Sequence, residues 1–103
     1  MARITLPIDV DDDFLITRRH LLDGIEIGLS FRWHERVSGW YLTIRDSDGV
    51  VRARGRRVEP GAELIPDRTW PTLPPGRLVA TGTVDLTRRE YLGTAVLIEY
   101  VEA

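Results

Sequence analysis

The sequence contains no cysteine and no lysine. The first absence excludes disulfides and thiolate chemistry, and leaves the redox compartment unreadable. The second makes all 14 basic residues arginine, so every cationic side chain is a planar fork suited to bidentate contacts. No apolar run approaches the roughly 18–20 residues of a membrane-spanning helix. The opening Met1-Ala2-Arg3-Ile4-Thr5-Leu6-Pro7 has no apolar signal core, which leads to the expectation of a chain made and kept in a bacterial cytoplasm. The formal net charge of -2 argues against bulk attraction to nucleic acid. Catalytic signatures are missing as well: there is no P-loop, no Gly-x-Gly-x-x-Gly, no Cys/His pair and no Ser/His/Asp spacing. Only a site assembled from residues on separate strands would escape that reading.

What is present is alternation. Trp40, Leu42 and Ile44 alternate with Tyr41, Thr43 and Arg45, the period of a half-buried strand. Asp46-Ser47-Asp48-Gly49 ends that run with a strong hairpin signal, and Val50 to Gly55 reads as the return strand. Ile25, Ile27, Leu29, Phe31 and Trp33 form the cleanest alternating run, with the odd positions expected to face a core. It follows a strand over Phe14 to Leu22 and a turn at Asp23-Gly24. Ile4, Leu6, Ile8 and Val10 alternate around Pro7, which places them on an edge strand or an extended arm. Val58 to Pro75 is broken repeatedly by proline, with Leu64, Ile65 and Trp70 expected to pin it down. Arg77 to Val84 and Thr94 to Val101 are two further strands, the latter expected to be covered on both faces. Between them Asp85 to Leu92 suits a short helical turn, capped by Asp85 or Thr87 and stopped by Gly93. The expected fold is all-β: a small antiparallel barrel or sandwich of six or seven strands with one long Pro-rich connection. At 103 residues it is read as one domain over 1–103, with 1–12 as an extended N-terminal arm.

Few residues suggest chemistry. His20 and His34, the second beside Glu35, lack the spacing of a metal site, and polar-face histidines are the favoured reading. Asp9, Asp11, Asp12 and Asp13 lack the glycine and downstream glutamate of a calcium loop, so a solvated loop is favoured. Trp33, Trp40 and Trp70 read as core anchors before a ligand cleft. No catalytic residue, metal ligand or cofactor site is assigned. The surface feature that stands out is arginine. If Val51, Ala53 and Gly55 face the core, then Tyr41, Arg45, Arg52, Arg54 and Arg56 share the other face, with Arg57 beside them. Such a stripe is a candidate partner-binding face for acidic surfaces, including those of other copies of the chain. Its alternative use is by a small β-barrel that binds nucleic acid or another polyanion, with Tyr41 stacking on a base.

The order of these elements resembles the small baseplate plug proteins of tailed bacteriophages and prophages. The resemblance is carried by Leu22-Asp23-Gly24 before the Ile25 to Trp33 strand, and by Gly39-Trp40-Tyr41-Leu42-Thr43-Ile44 with Asp46-Ser47-Asp48-Gly49 and Gly55. It continues through Pro60-Gly61-Ala62-Glu63-Leu64-Ile65, Pro75-Gly76-Arg77-Leu78, Tyr91-Leu92-Gly93 and Val96 to Tyr100. Trp33-His34 departs from the pattern, where the family more often has an aromatic followed by Asn. The resemblance implies a non-enzymatic structural subunit of a virion tail baseplate, near the hub, at the end of the tube and close to the spike. Implied partners are other baseplate, hub, tube or spike subunits. No cofactor and no membrane are implied, and nucleic acid is disfavoured as a partner.

Overall fold

The computed structural model describes residues 3–8, 15–65, 71–82, 91–93 and 96–102. Seven strands follow in chain order: β1 (Arg3–Leu6), β2 (Leu15–Leu22), β3 (Ile25–His34), β4 (Gly39–Arg45), β5 (Val51–Arg57), β6 (Arg77–Gly82) and β7 (Val96–Val101). β2 to β5 form a four-stranded meander, and β1, β7 and β6 form a three-stranded sheet in that order. All of these pairings are antiparallel. The buried faces of both sheets contribute to one apolar core, so of the two expected arrangements the chain adopts the pair of sheets and not a closed barrel. No helix among the described residues is long and apolar enough to cross a membrane.

Local chemistry accounts for the meander. Asp23 and Gly24 both sit at positive φ, 50° and 77°, and a two-residue turn of that kind matches the twist of the flanking strands. It holds β2 and β3 in continuous register from Leu22↔Ile25 to Leu15↔Arg32. A short 3₁₀ turn, Glu35–Val37, with Ser38 in the left-handed region, leads from β3 into β4. There Trp33 and Trp40 pair directly, with ring centroids 5.6 Å apart. Ile27, Leu29, Phe31 and Trp33 are buried, as the alternation requires. Burial of each such side chain contributes about 1.5–3 kcal/mol.

The second sheet joins the two ends of the described chain. β7 is its central strand, with β1 on one side and β6 on the other. Val96, Ile98 and Tyr100 face the core, while Leu97, Glu99 and Val101 are only partly covered, so β7 is dry on one face and not on both as its composition suggests. On the outer face Glu99 accepts hydrogen bonds from Arg3 and Thr5 of β1 and from Thr81 of β6. Leu64 and Ile65 are buried and do pin the long connection; Trp70 lies outside the described residues, as do the acidic run 9–13 and, of the helical turn expected over Asp85 to Leu92, all but its last two residues.

Tyr100 ties the sheets together through its hydroxyl. It donates to Asp23 Oδ2 at 2.5 Å and accepts from the Gly76 amide at 2.8 Å. Burial, reinforced by the hydrogen bond to Asp23, pushes the phenol up to about 12. The neutral phenol is therefore the folded form; its contribution is complete below pH 10.0 and fades as pH rises towards 12. Tyr100→Phe is expected to cost about 1–3 kcal/mol, because it leaves the Gly76 amide without its acceptor. Urea titration of the two proteins measures this, and equal midpoints would show the bond to be energetically idle.

Candidate functional site

The outward face of the four-stranded sheet can be read row by row, because residues paired across antiparallel strands project to the same side. One row is Arg19–Gly28–Arg45, the next Thr17–Ser30–Thr43, and the third Leu15–Arg32–Tyr41–Arg57. The face thus carries Arg19, Arg32, Arg45 and Arg57, with Tyr41 near its centre. His34 packs edge-on against Tyr41 at 4.8 Å, and the Arg57 guanidinium lies 5.8 Å from the Tyr41 ring centre.

The expected stripe of Arg45, Arg52, Arg54 and Arg56 does not assemble as one face. Alternation along Val50 to Gly55 holds only while the strand is regular, and the β4–β5 ladder shifts register on both sides of Ile44. Gly55 sits at φ 69°, a conformation that suits a bulge. Beyond it Arg56 is paired with Leu42 and Arg57 with Tyr41. Arg56 is therefore turned towards the core side, where its Nη2 donates to the Glu63 carbonyl at 2.9 Å. Arg57 takes the outward place. Arg45 is exposed and reaches the Gly49 carbonyl at 3.3 Å. Arg54 is exposed and has no ion pair among the described residues. A glycine inside a strand pattern is the one local signal that could have warned of the shift.

Arg52 serves the fold. Its Nε donates to Asp46 Oδ2 at 2.6 Å, and the Asp46 side chain is wholly buried. The same carboxylate accepts from Thr72 Oγ1 at 2.7 Å and from the Asp48 and Val50 amides at 2.9 and 3.0 Å. Desolvation pushes this carboxyl up; the hydrogen bonds, from Thr72 and Arg52 foremost and then Val50 and Asp48, outweigh it and hold the group at about 2. The Asp46-Ser47-Asp48-Gly49 turn is thus closed around its own acid, which has no oxygen to spare for calcium. Substituting Arg52, Arg54 and Arg56 together would test folding as much as binding.

The two histidines lie on opposite faces. His20 is paired with Ile27 on the core side, and its Nε2 is buried without a partner. Burial, with the Arg18 charge nearby, lowers its pKa and keeps it neutral. His34 faces outward beside Tyr41. Among the described residues no three His, Asp or Glu side chains converge as metal ligands.

Two shallow hollows mark the ends of the sheet face. One, of about 260 Å³, lies between Arg19 and Arg45, where Gly28 leaves the floor bare, and is rimmed by Glu26 and the 46–49 turn. The other, of about 410 Å³, is bounded by Leu15, Arg32, Trp33, His34, Glu35 and Arg36. Glu35 accepts the Trp33 indole N–H at 2.5 Å and is thereby spent on orienting the ring. The chemistry on offer is recognition of acidic and aromatic groups by arginine forks and exposed rings.

A family model described as cyanophage baseplate Pam3 plug gp18 matches residues 3–103. No curated protein matches the chain.

Proposed function

This chain belongs to the phage baseplate plug family, and from that premise we propose that it is a structural subunit of a phage or prophage tail baseplate that works through contacts with neighbouring subunits and without catalysis. The observation that carries the reading is the extent of the match, which takes in every described strand from β1 to β7. The surface agrees in kind. Arg19, Arg32, Arg45 and Arg57 make one sheet face cationic in a chain whose net charge is negative, and such a face suits acidic surfaces of hub, tube or spike subunits.

The geometry disfavours the polyanion-binding alternative. A groove for nucleic acid needs arginines free to follow phosphates. In the stripe on which that alternative rests, Arg52 is held by Asp46 and Arg56 by the Glu63 carbonyl.

The test is mass spectrometry on tail particles purified from an induced lysate of the source bacterium, with this chain quantified against tube and spike proteins. A fixed copy number, low relative to the tube, is the expected result. Intact particles that lack the chain would overturn the reading.

A further inference from the structure

Two sheets present four strand edges, and three of them are closed to another strand. β1 is four residues long and runs into Pro7. β6 is covered by the chain itself: the Gly61 and Leu64 amides donate to the Ala80 and Leu78 carbonyls, and the Ala80 amide to the Ala62 carbonyl. β5 breaks its ladder with two register shifts and a left-handed Gly55. β2 differs from all three. It runs for eight residues without proline, in unbroken register with β3, and among the described residues no backbone hydrogen bond reaches its far side. A long, regular, unpaired edge is a template for strand addition, which natural sheets otherwise suppress.

The side chains of β2 specify what fits. Leu15 and Leu21 project to the outer face and are 53% and 72% exposed. Between them lie Arg18 and Arg19. Among the described residues Arg18 reaches only the carbonyl of its neighbour Thr17, at 2.9 Å, and Arg19 meets Glu26 at 3.4 Å in the open, a pair worth little. The edge is thus cationic at its centre and apolar at its ends. A second copy is a poor occupant. Antiparallel pairing of two β2 edges keeps their core faces on one side, so residues of equal parity meet, and pairing at the centre sets Arg18 against Arg18 or Arg19 against Arg19; like charges across a ladder are destabilising.

We propose that β2 is the docking edge for an extended strand from a different baseplate subunit, acidic at its middle and apolar towards its ends. The inference rests on the baseplate reading above and narrows it to one edge and one chemistry of partner. Backbone hydrogen bonds supply the adhesion, and Arg18 and Arg19 set the register by meeting Asp or Glu on the incoming strand.

Two measurements on purified tail particles test it. The first compares copy numbers of the wild type, the Arg18→Glu/Arg19→Glu double variant and Arg54→Glu, with thermal melting confirming that each folds. The double variant is expected to fall by roughly ten-fold or more, and Arg54→Glu to match the wild type. The second places a photo-crosslinking benzoylphenylalanine at Leu21 or at Arg54, and so does not depend on the double variant folding. Leu21 is expected to capture a different subunit and Arg54 none. Wild-type incorporation of a folded double variant overturns the proposal, as does a Leu21 cross-link only to a second copy, or to nothing in particles that contain the chain. A wild-type chain missing from intact particles is a separate result: it removes the baseplate reading itself, and this proposal with it.

Discussion

Asp46→Asn is expected to lower the thermal unfolding midpoint by roughly 15 °C at neutral pH, the effect of removing a buried carboxylate that accepts from a part-buried arginine, a threonine and two backbone amides. The two oxygens of Asp46 are fully committed. Oδ1 accepts the Asp48 and Val50 amides, and Oδ2 accepts Arg52 Nε and Thr72 Oγ1. An amide has one oxygen and one NH₂ group. In one orientation the NH₂ confronts the Arg52 N–H, and in the other it confronts two backbone N–H groups. Either way donors face donors in a site closed to water. The damage extends past the turn, because Thr72 belongs to the long connection and its carbonyl also accepts from the Ser47 amide at 3.1 Å. Loss of the carboxylate loosens that connection from the β4–β5 hairpin.

Acid should reproduce the variant. The Asp46 carboxyl is held at about 2 in the folded chain, below its ordinary 3.8. A depressed pKa means that the unfolded chain takes up the proton first as pH falls. The stabilisation is therefore complete well above pH 3.8 and is lost as pH drops through that value towards 2. Melting curves of wild type and Asp46→Asn across this range should show a gap that is constant near neutrality and narrows below about pH 4. A gap that does not change with pH would mean that the charge of Asp46 contributes nothing.

Gly76→Ala is expected to cost about 3 kcal/mol, a fall of roughly 12–24 °C in the midpoint. Gly76 precedes β6 at the point where Arg77 pairs with Val101. A Cβ at this position would lie 2.1 Å from the Val101 carbonyl oxygen and 2.6 Å from the Tyr100 hydroxyl. Neither neighbour can yield. The carbonyl belongs to the central strand of its sheet, and the hydroxyl is fixed by Asp23 and by Gly76 itself. Relief requires β6 to move off β7, which breaks their ladder and the Gly76 hydrogen bond to Tyr100. Gly28→Ala is the control, since its Cβ meets only the Arg45 Cβ at 3.5 Å, an ordinary contact. Chemical denaturation of both variants separates the cases. Equal midpoints would show that Gly76 has room the structure denies it.

The candidate surface divides along the same line between local and distant causes. Arg19 and Arg32 were placeable in advance, because the two-residue Asp23-Gly24 turn ties β2 to β3 and so fixes which residues share a row. Arg45 follows from the parity of β4. Arg56 and Arg57 exchange roles because one left-handed glycine inserts an extra residue, and every side chain beyond it changes sides. The parity argument that works on β2, β3 and β4 fails on β5 at this shift and again at the one between Ala53 and Val51.

The strands themselves were determined by sequence alone, since alternation and turn chemistry act over two to five residues and need no distant partner to be read. So were the buried odd positions of β3 and the hairpin at Asp46-Ser47-Asp48-Gly49. The division of seven strands into sheets of four and three was decided only in three dimensions, as was the pairing of β1 with β7 across nearly the whole chain. The closure of Asp46 by Thr72 and, among the described residues, the open edge at β2 belong to the same class. Each depends on which distant segment arrives to cover a backbone edge or to donate a hydrogen bond, and no local pattern encodes that arrival.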